Sequence, residues 1–195
     1  MNVWYAKAAV LASCVALIAI RAPHGRRSRT VKVAKDRRGL LETVLLSLAM
    51  ASFFVPLVWV AAPRRLLEFA DYPLLPVPFA SGVVCLVAGL VLFHRSHADL
   101  GTNWSVTLQT REGHRLVTGG IYRRIRHPMY ASFLLYSAGQ ALVLPNWIAG
   151  PSYLAAMSLL VALRLGPEER MMREEFGAEY DAYAARTARL VPGVW

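Results

Sequence analysis

Two short stretches of the 195-residue chain hold the side chains best suited to chemistry. The first, GHRLVTGGIYRRIRHPMY at 113–130, gathers His114, Tyr122, Arg126, His127 and Tyr130 around Gly119 and Gly120, which permit a sharp turn. With Pro128 at a first helical position, His127 becomes the N-cap, and the helix turns its free N–H groups toward the preceding loop. Such an end binds anions, carboxylates included. Imidazole and phenol groups beside it can stack on, or hydrogen-bond to, a planar base and a ribose. The pattern reads as a cradle for a nucleotide-like cofactor. No G-x-G-x-x-G or Walker sequence follows a strand, so neither a Rossmann fold nor a P-loop is implied. A plainer reading stays open here: Arg123, Arg124 and Arg126 as basic anchors, Tyr122 and Tyr130 as interfacial aromatics, Pro128 as a helix start.

The second stretch holds Arg164 and Glu168. The tail reads as a helix over 167–186, with Pro167 in its first turn and Glu168 and Glu169 at the positive end of its dipole. Met172, Phe176, Tyr180 and Tyr183 recur at helical spacing, while Arg170, Arg173, Glu174 and Asp181 take the other side, which makes the helix amphipathic. Glu168 falls on the apolar stripe and needs a partner. Arg164 supplies one if the helix runs on through Pro167. Spacing alone favours the plainer of two readings, an interfacial ion pair with Arg164 snorkelling to the headgroups, over a ligand-binding pair.

The elements that must position these groups are membrane spans. Hydrophobic residues make up 56% of the chain and charged ones 17%, against about 25% charged in soluble domains. Mean hydropathy is +0.39. Five apolar runs, at about 3–20, 40–62, 77–94, 129–145 and 147–165, approach the ~20 residues a helical span requires. None alternates as a barrel strand would. The first run has its basic cluster behind it and no A-x-A site, unlike a signal peptide. The expected fold is all-α and integral to the membrane: five transmembrane helices, a cytoplasmic cofactor-binding loop and a C-terminal amphipathic helix. It divides into three N-terminal spans (1–94) and a catalytic region (95–195) with its helical hairpin at 129–165.

Charge sets the topology. Residues 21–38 carry eight Arg and Lys against Asp36, and 95–127 carry six Arg against Asp99 and Glu112, whereas 63–76 is balanced. Lys and Arg favour the cytoplasmic side, so the N-terminus is expected outside, with the 95–127 loop and the tail inside. The formal charge of +10 then speaks of topology and anionic headgroups, with no aromatic-interleaved patch for nucleic acid. Cys14 and Cys85 lie mid-span as small apolar residues. His94 and His97 are too few to hold a metal and read as juxtamembrane polar residues.

The first block, followed by PEERMMREEFGAEYDAY and the closing RLVP, resembles the isoprenylcysteine carboxyl methyltransferase family, within a wider group that includes the phospholipid N-methyltransferases. The resemblance covers roughly residues 95–192, and the span count is similar to that of shorter prokaryotic members, which implies a bacterial-type inner membrane. It implies S-adenosylmethionine as methyl donor and S-adenosylhomocysteine as product. Carried over, the cofactor contacts are His114, Arg115, Leu116, Val117, Tyr122, His127, Pro128, Met129, Tyr130 and Glu168, and Arg164 holds the acceptor. Gln109 is the nearest candidate for a family glutamine, at a different spacing from His114. The implied substrate is a lipophilic carboxylate of the prenylcysteine kind. That anion is already ionised near neutral pH, with a reference pKa of about 4, so no general base is needed. A phospholipid or small-lipid N- or O-methyltransferase is the alternative; an NADPH-dependent sterol-type reductase and a non-enzymatic membrane protein rank below it.

Overall fold

The computed structural model describes residues 1–28, 33–36, 39–61, 66–101, 109–111 and 116–193, with the backbone alone at 25–28, 33–36 and 109–111. Six helices account for nearly all of it: α1 Val3–Ser28, α2 Leu40–Ala61, α3 Pro76–Leu100, α4 Pro128–Val143, α5 Ala149–Phe176 and α6 Ala178–Ala184. The all-α expectation needs one correction. Strand β1 Val33–Asp36 pairs antiparallel with β2 Gln109–Arg111, Val33 facing Arg111 and Asp36 facing Gln109. This ladder ties together the two basic connections that the charge pattern had put on one side.

Helices coincide with all five apolar runs, but only four of them are long. Among the described residues, Val3–His24, Leu40–Ala61, Pro76–Leu100 and Ala149–Phe176 are long and apolar enough to cross a membrane. The 16 residues of α4 are shorter than that. At 1.5 Å per residue α4 reaches about 24 Å, under the ~30 Å of hydrocarbon. Half of the most apolar window of α5 is buried inside the bundle, against 22–28% for the other three, so α5 is the most inward of these four long helices. Apolar side chains such as Val15, Leu48, Val84 and Leu159 stay exposed along the outside, as lipid-facing positions do.

Close packing of α3 on α4 depends on small residues. A Cβ added to Gly82 would stand 2.9 Å from the Gly139 carbonyl oxygen, and one on Gly139 would stand 2.7 Å from the Leu86 nitrogen. With no side chain at either position the two backbones approach directly, the small-residue mode of membrane helix pairing.

The expected C-terminal helix is corrected at both ends. Instead of starting at Pro167, the chain continues α5 straight through it, and the helix ends at Gly177, which adopts φ +52°. Proline removes one helical hydrogen bond, a loss that tertiary packing of an inward helix can offset. A positive φ is cheap only for glycine. The stripe from Met172 to Tyr183 is therefore divided between two helices.

Two ends of the bundle can be told apart by contacts. At one end the Met1 ammonium donates to the Leu74 carbonyl (3.1 Å) and Lys7 to that of Val60 (2.9 Å). There the 66–75 connection meets the α4–α5 turn: Tyr72 N–H donates to Pro145 O (3.0 Å) and Trp147 N–H to Ala70 O (2.9 Å). The other end carries the β1–β2 ladder, the Gly120–Arg123 turn and the tail. His97, expected at the headgroups, is instead fully buried there, its ring 4.2 Å from that of Phe93.

Candidate active site

At the ladder end the chain builds its site around a clasp. The segment before α4 lies beside the tail, with Arg126 N–H donating to Ala188 O (2.8 Å), His127 N–H to Arg189 O (3.0 Å) and Ala188 N–H to Arg124 O (3.2 Å). The Gly120 turn leads into it. Gly120 has φ +57°, and a Cβ there would collide with the Asp99 carboxylate, which accepts from Ile121 N–H at 2.7 Å. His127 is the N-cap of α4 by position, without a side-chain cap bond, and Pro128 occupies the first turn. The histidine ring is consequently left available for the interior.

Adjacent residues of α5 then do different things. Glu169 is 1% exposed and surrounded by three guanidinium groups and an imidazole: Arg126 Nε at 3.0 Å, Arg189 Nη2 at 3.0 Å, Arg173 Nη2 at 3.8 Å and His127 Nε2 at 3.4 Å. Arg126 also donates to the carbonyls of Ala184 (2.8 Å) and Thr187. A carboxylate this well paired is structural in the first place. Glu168 keeps 27% of its side chain exposed. Tyr130 Oη donates to it, Arg164 Nε lies 3.8 Å away and His127 Nδ1 3.8 Å away. His127 and Tyr130 stack at 5.7 Å with a 19° tilt, forming a flat wall.

Arg164 has a further neighbour, Glu42 of α2, at 3.3 Å, and both side chains are more than nine-tenths buried. Around the polar end stand phenols whose burial keeps them protonated. Burial pushes Tyr183 up to about 12 and raises Tyr122 and Tyr180, where the Glu168 and Glu169 carboxylates respectively add to the effect. Tyr183 uses its proton to donate to the Tyr122 carbonyl at 2.7 Å.

These groups open on a cavity of about 530 Å³. Of the residues singled out from the sequence, Leu116, Val117, Tyr122, His127, Pro128, Met129, Tyr130, Arg164 and Glu168 all line it. His114 and Arg115 lie outside the described residues. Gln109 stands in β2, where the backbone alone is described. Away from the charges the cavity becomes apolar, running between Leu17 of α1, Leu46 and Phe53 of α2, and Met157 and Leu160 of α5. One end suits a polar, planar, cationic molecule; the other suits an alkyl chain.

The sequence reading missed two participants, and it gave Arg126, which it grouped with His127 and Tyr130, no partner; the structure supplies Glu169. Arg189 belongs to the closing RLVP, which gave no hint of an ion pair. Glu42 had a visible signal: a carboxylate within an apolar run is costly unless it has a partner or a task.

Comparison with known proteins agrees with the resemblance seen in the two blocks. Residues 82–174 match the family model described as the isoprenylcysteine carboxyl methyltransferase (ICMT) family. Protein-S-isoprenylcysteine O-methyltransferase B of Arabidopsis thaliana is 30% identical over 115 residues, 58% of this chain and 58% of that protein. The Homo sapiens protein-S-isoprenylcysteine O-methyltransferase is 31% identical over 114 residues, 57% of this chain and 40% of the human one. The match thus spans about half the length of these relatives. A solved structure of the eukaryotic intramembrane Ras methyltransferase ICMT superposes with a TM-score of 0.54 at 24% identity, over 78% of this chain and 52% of that one, so the fold is shared.

Proposed function

We propose, from that family match, that the chain is an integral membrane methyltransferase that takes its methyl group from S-adenosylmethionine and esterifies the carboxylate of a lipophilic, prenylcysteine-like acceptor. The observation that supports it best is the convergence of both sequence blocks on one cavity: His127 and Tyr130 on one wall, Arg164 and Glu168 on the other, with an apolar limb beyond them.

The residues fit the donor. Glu168, partly exposed and facing the cavity, suits an ammonium group, and the stacked His127–Tyr130 pair suits a flat base. The bound donor supplies an electrophilic methyl group on a cationic sulfur. The chain's own part is to bind and align. Arg164 turns the acceptor carboxylate toward the methyl group, with no proton to remove first, since that carboxylate is ionised with a reference pKa of about 4. Leu46, Phe53 and Met157 keep the lipid tail in an apolar channel and water away from the attacking oxygen. Positioning and exclusion of solvent then provide most of the acceleration. Because the basic segments 21–38 and 95–127 share the cavity's end of the bundle, the site faces the cytoplasm in this reading.

Calorimetry on purified protein tests the donor: S-adenosylhomocysteine binds saturably and NADPH does not. Saturable NADPH binding without S-adenosylhomocysteine binding overturns the proposal in favour of a reductase. Labelled S-adenosylmethionine with an S-farnesylcysteine derivative tests the acceptor, with a base-labile methyl ester as the expected product. A base-stable labelled phospholipid would point to the N-methyl alternative.

A further inference from the structure

Glu42 belongs to none of the motifs and lies outside the residues 82–174 matched by the family model. It stands near the start of α2, one turn before Leu46 of the cavity wall. Its Oε1 sits 3.3 Å from Arg164 Nη2, with only 7% of the side chain exposed. Arg164 Nε points at Glu168 from 3.8 Å. The guanidinium therefore has a carboxylate on each of two donor edges.

That arrangement conflicts with a simple receptor for an anion. A buried arginine flanked by two carboxylates carries a local charge of the wrong sign for a third one. The fork also grips a carboxylate best through two parallel N–H groups, and Nη2 is among those already engaged. Glu168 has another use on the reading above, as partner of the donor's ammonium group. Glu42 is absent from the cavity lining and reaches the site through Arg164.

We propose that Glu42 is the exchangeable counter-ion of Arg164, a positioning residue that holds the guanidinium until the acceptor carboxylate displaces it and so sets acceptor affinity. This rests on the carboxylate-acceptor reading. An arginine left buried without a counter-ion is costly, and Glu42 relieves that cost before the acceptor arrives. Once the acceptor is a neutral methyl ester it has no charge with which to hold the fork, and Glu42 takes it back. Glu42 thereby favours exchange of product for fresh acid at the expense of tight binding.

The test is binding of N-acetyl-S-farnesylcysteine and of its methyl ester to the full-length protein saturated with S-adenosylhomocysteine. Glu42→Gln keeps the shape of the side chain and removes the competing charge. The acid should bind about tenfold more tightly to this variant than to the wild type, the scale of one relieved charge competition in a partly buried site, while the ester is unaffected. In turnover the same change appears as a lower KM for the acid. Glu42→Asp, whose carboxylate is one methylene further from Nη2, should shift the acid in the same direction by less.

Acid affinity that is unchanged or weaker in Glu42→Gln, with S-adenosylhomocysteine still bound, overturns the exchange and leaves Glu42 a fixed support. Loss of S-adenosylhomocysteine binding in both variants does so as well. Acid and ester binding alike to every form is a different result: it removes the carboxylate-acceptor reading itself. An acid preference that exists in the wild type but fails to grow in Glu42→Gln removes only the exchange.

Discussion

The bundle has a buried polar cluster at each end, and the two are finished differently. At the turn end, Asn146 is fully buried and every edge of its amide is in use. It donates to Leu67 O (2.8 Å) and Asp71 Oδ1 (2.6 Å), and it accepts from the N–H groups of Ile148 (3.0 Å) and Ala149 (2.7 Å). Trp59 Nε1 adds a second strut to Asp71 at 2.8 Å. At the site end, Arg164, Glu168, Glu42 and His127 meet at 3.3–3.8 Å around a cavity, and part of Glu168 is open to it. A saturated network stabilises and binds nothing more. A network with slack, held in place by its surroundings, retains the capacity to take a ligand. Glu169 shows that slack is not forced on this end by crowding: one residue along, it has three guanidinium groups and an imidazole within 4 Å.

The contrast can be broken by substitution. Glu169→Ala should have the largest effect, because it removes the buried carboxylate on which Arg126, itself only 10% exposed, and Arg189 converge: about 3–5 kcal/mol of stability, seen as a lower melting point with and without S-adenosylhomocysteine. If melting is unchanged, the cluster around Glu169 is not the support described here. Asn146→Ala should cost about 2–3 kcal/mol by orphaning two N–H groups and removing one of Asp71's donors, yet leave the S-adenosylhomocysteine dissociation constant of the folded fraction as it was. A matching loss of affinity would mean that the two ends are coupled.

Tyr130→Phe sharpens the site side. It deletes one charge-assisted hydrogen bond to Glu168 and retains the ring that stacks on His127, so donor affinity should drop by roughly tenfold with little change in melting. Asp181→Asn is the control with the smallest expected effect. It breaks an exposed pair with Arg173, and at most about 0.5 kcal/mol should be lost by thermal melting.

How much of this was readable follows from the distances involved. The apolar runs were legible because hydropathy is a local sum. The walls of the cavity were legible because each is a dense block in sequence, 113–130 and 164–183, and the family resemblance joined them. Asn146 could be read as a turn former but not as a hub, since its partners Leu67 and Asp71 lie some 75 residues upstream. Glu42 was in plain view inside an apolar run; only Arg164, more than a hundred residues later, explains it. Pro167 misled for another reason. A proline is favoured in a first turn, yet the packing of an inward helix outweighed that local preference, and the actual stop was the Gly177 that follows Phe176.

The unbroken course of α5 also makes it a depth gauge. Counted from Ala149 at about 1.5 Å per residue, Arg164 stands roughly 22 Å along the helix and Glu168 roughly 28 Å, against a hydrocarbon layer of about 30 Å. With Ala149 at one face of that layer and the helix along its normal, the guanidinium would stand just beneath the headgroups and the carboxylate at their level. On the proposed function, an acceptor anchored by its own tail would present its carboxylate at that same height, and the helix would rank acceptors by how far their charged end stands from the membrane midplane. Thickening the bilayer should then handicap short-tailed acceptors before long-tailed ones, with no change in any side chain.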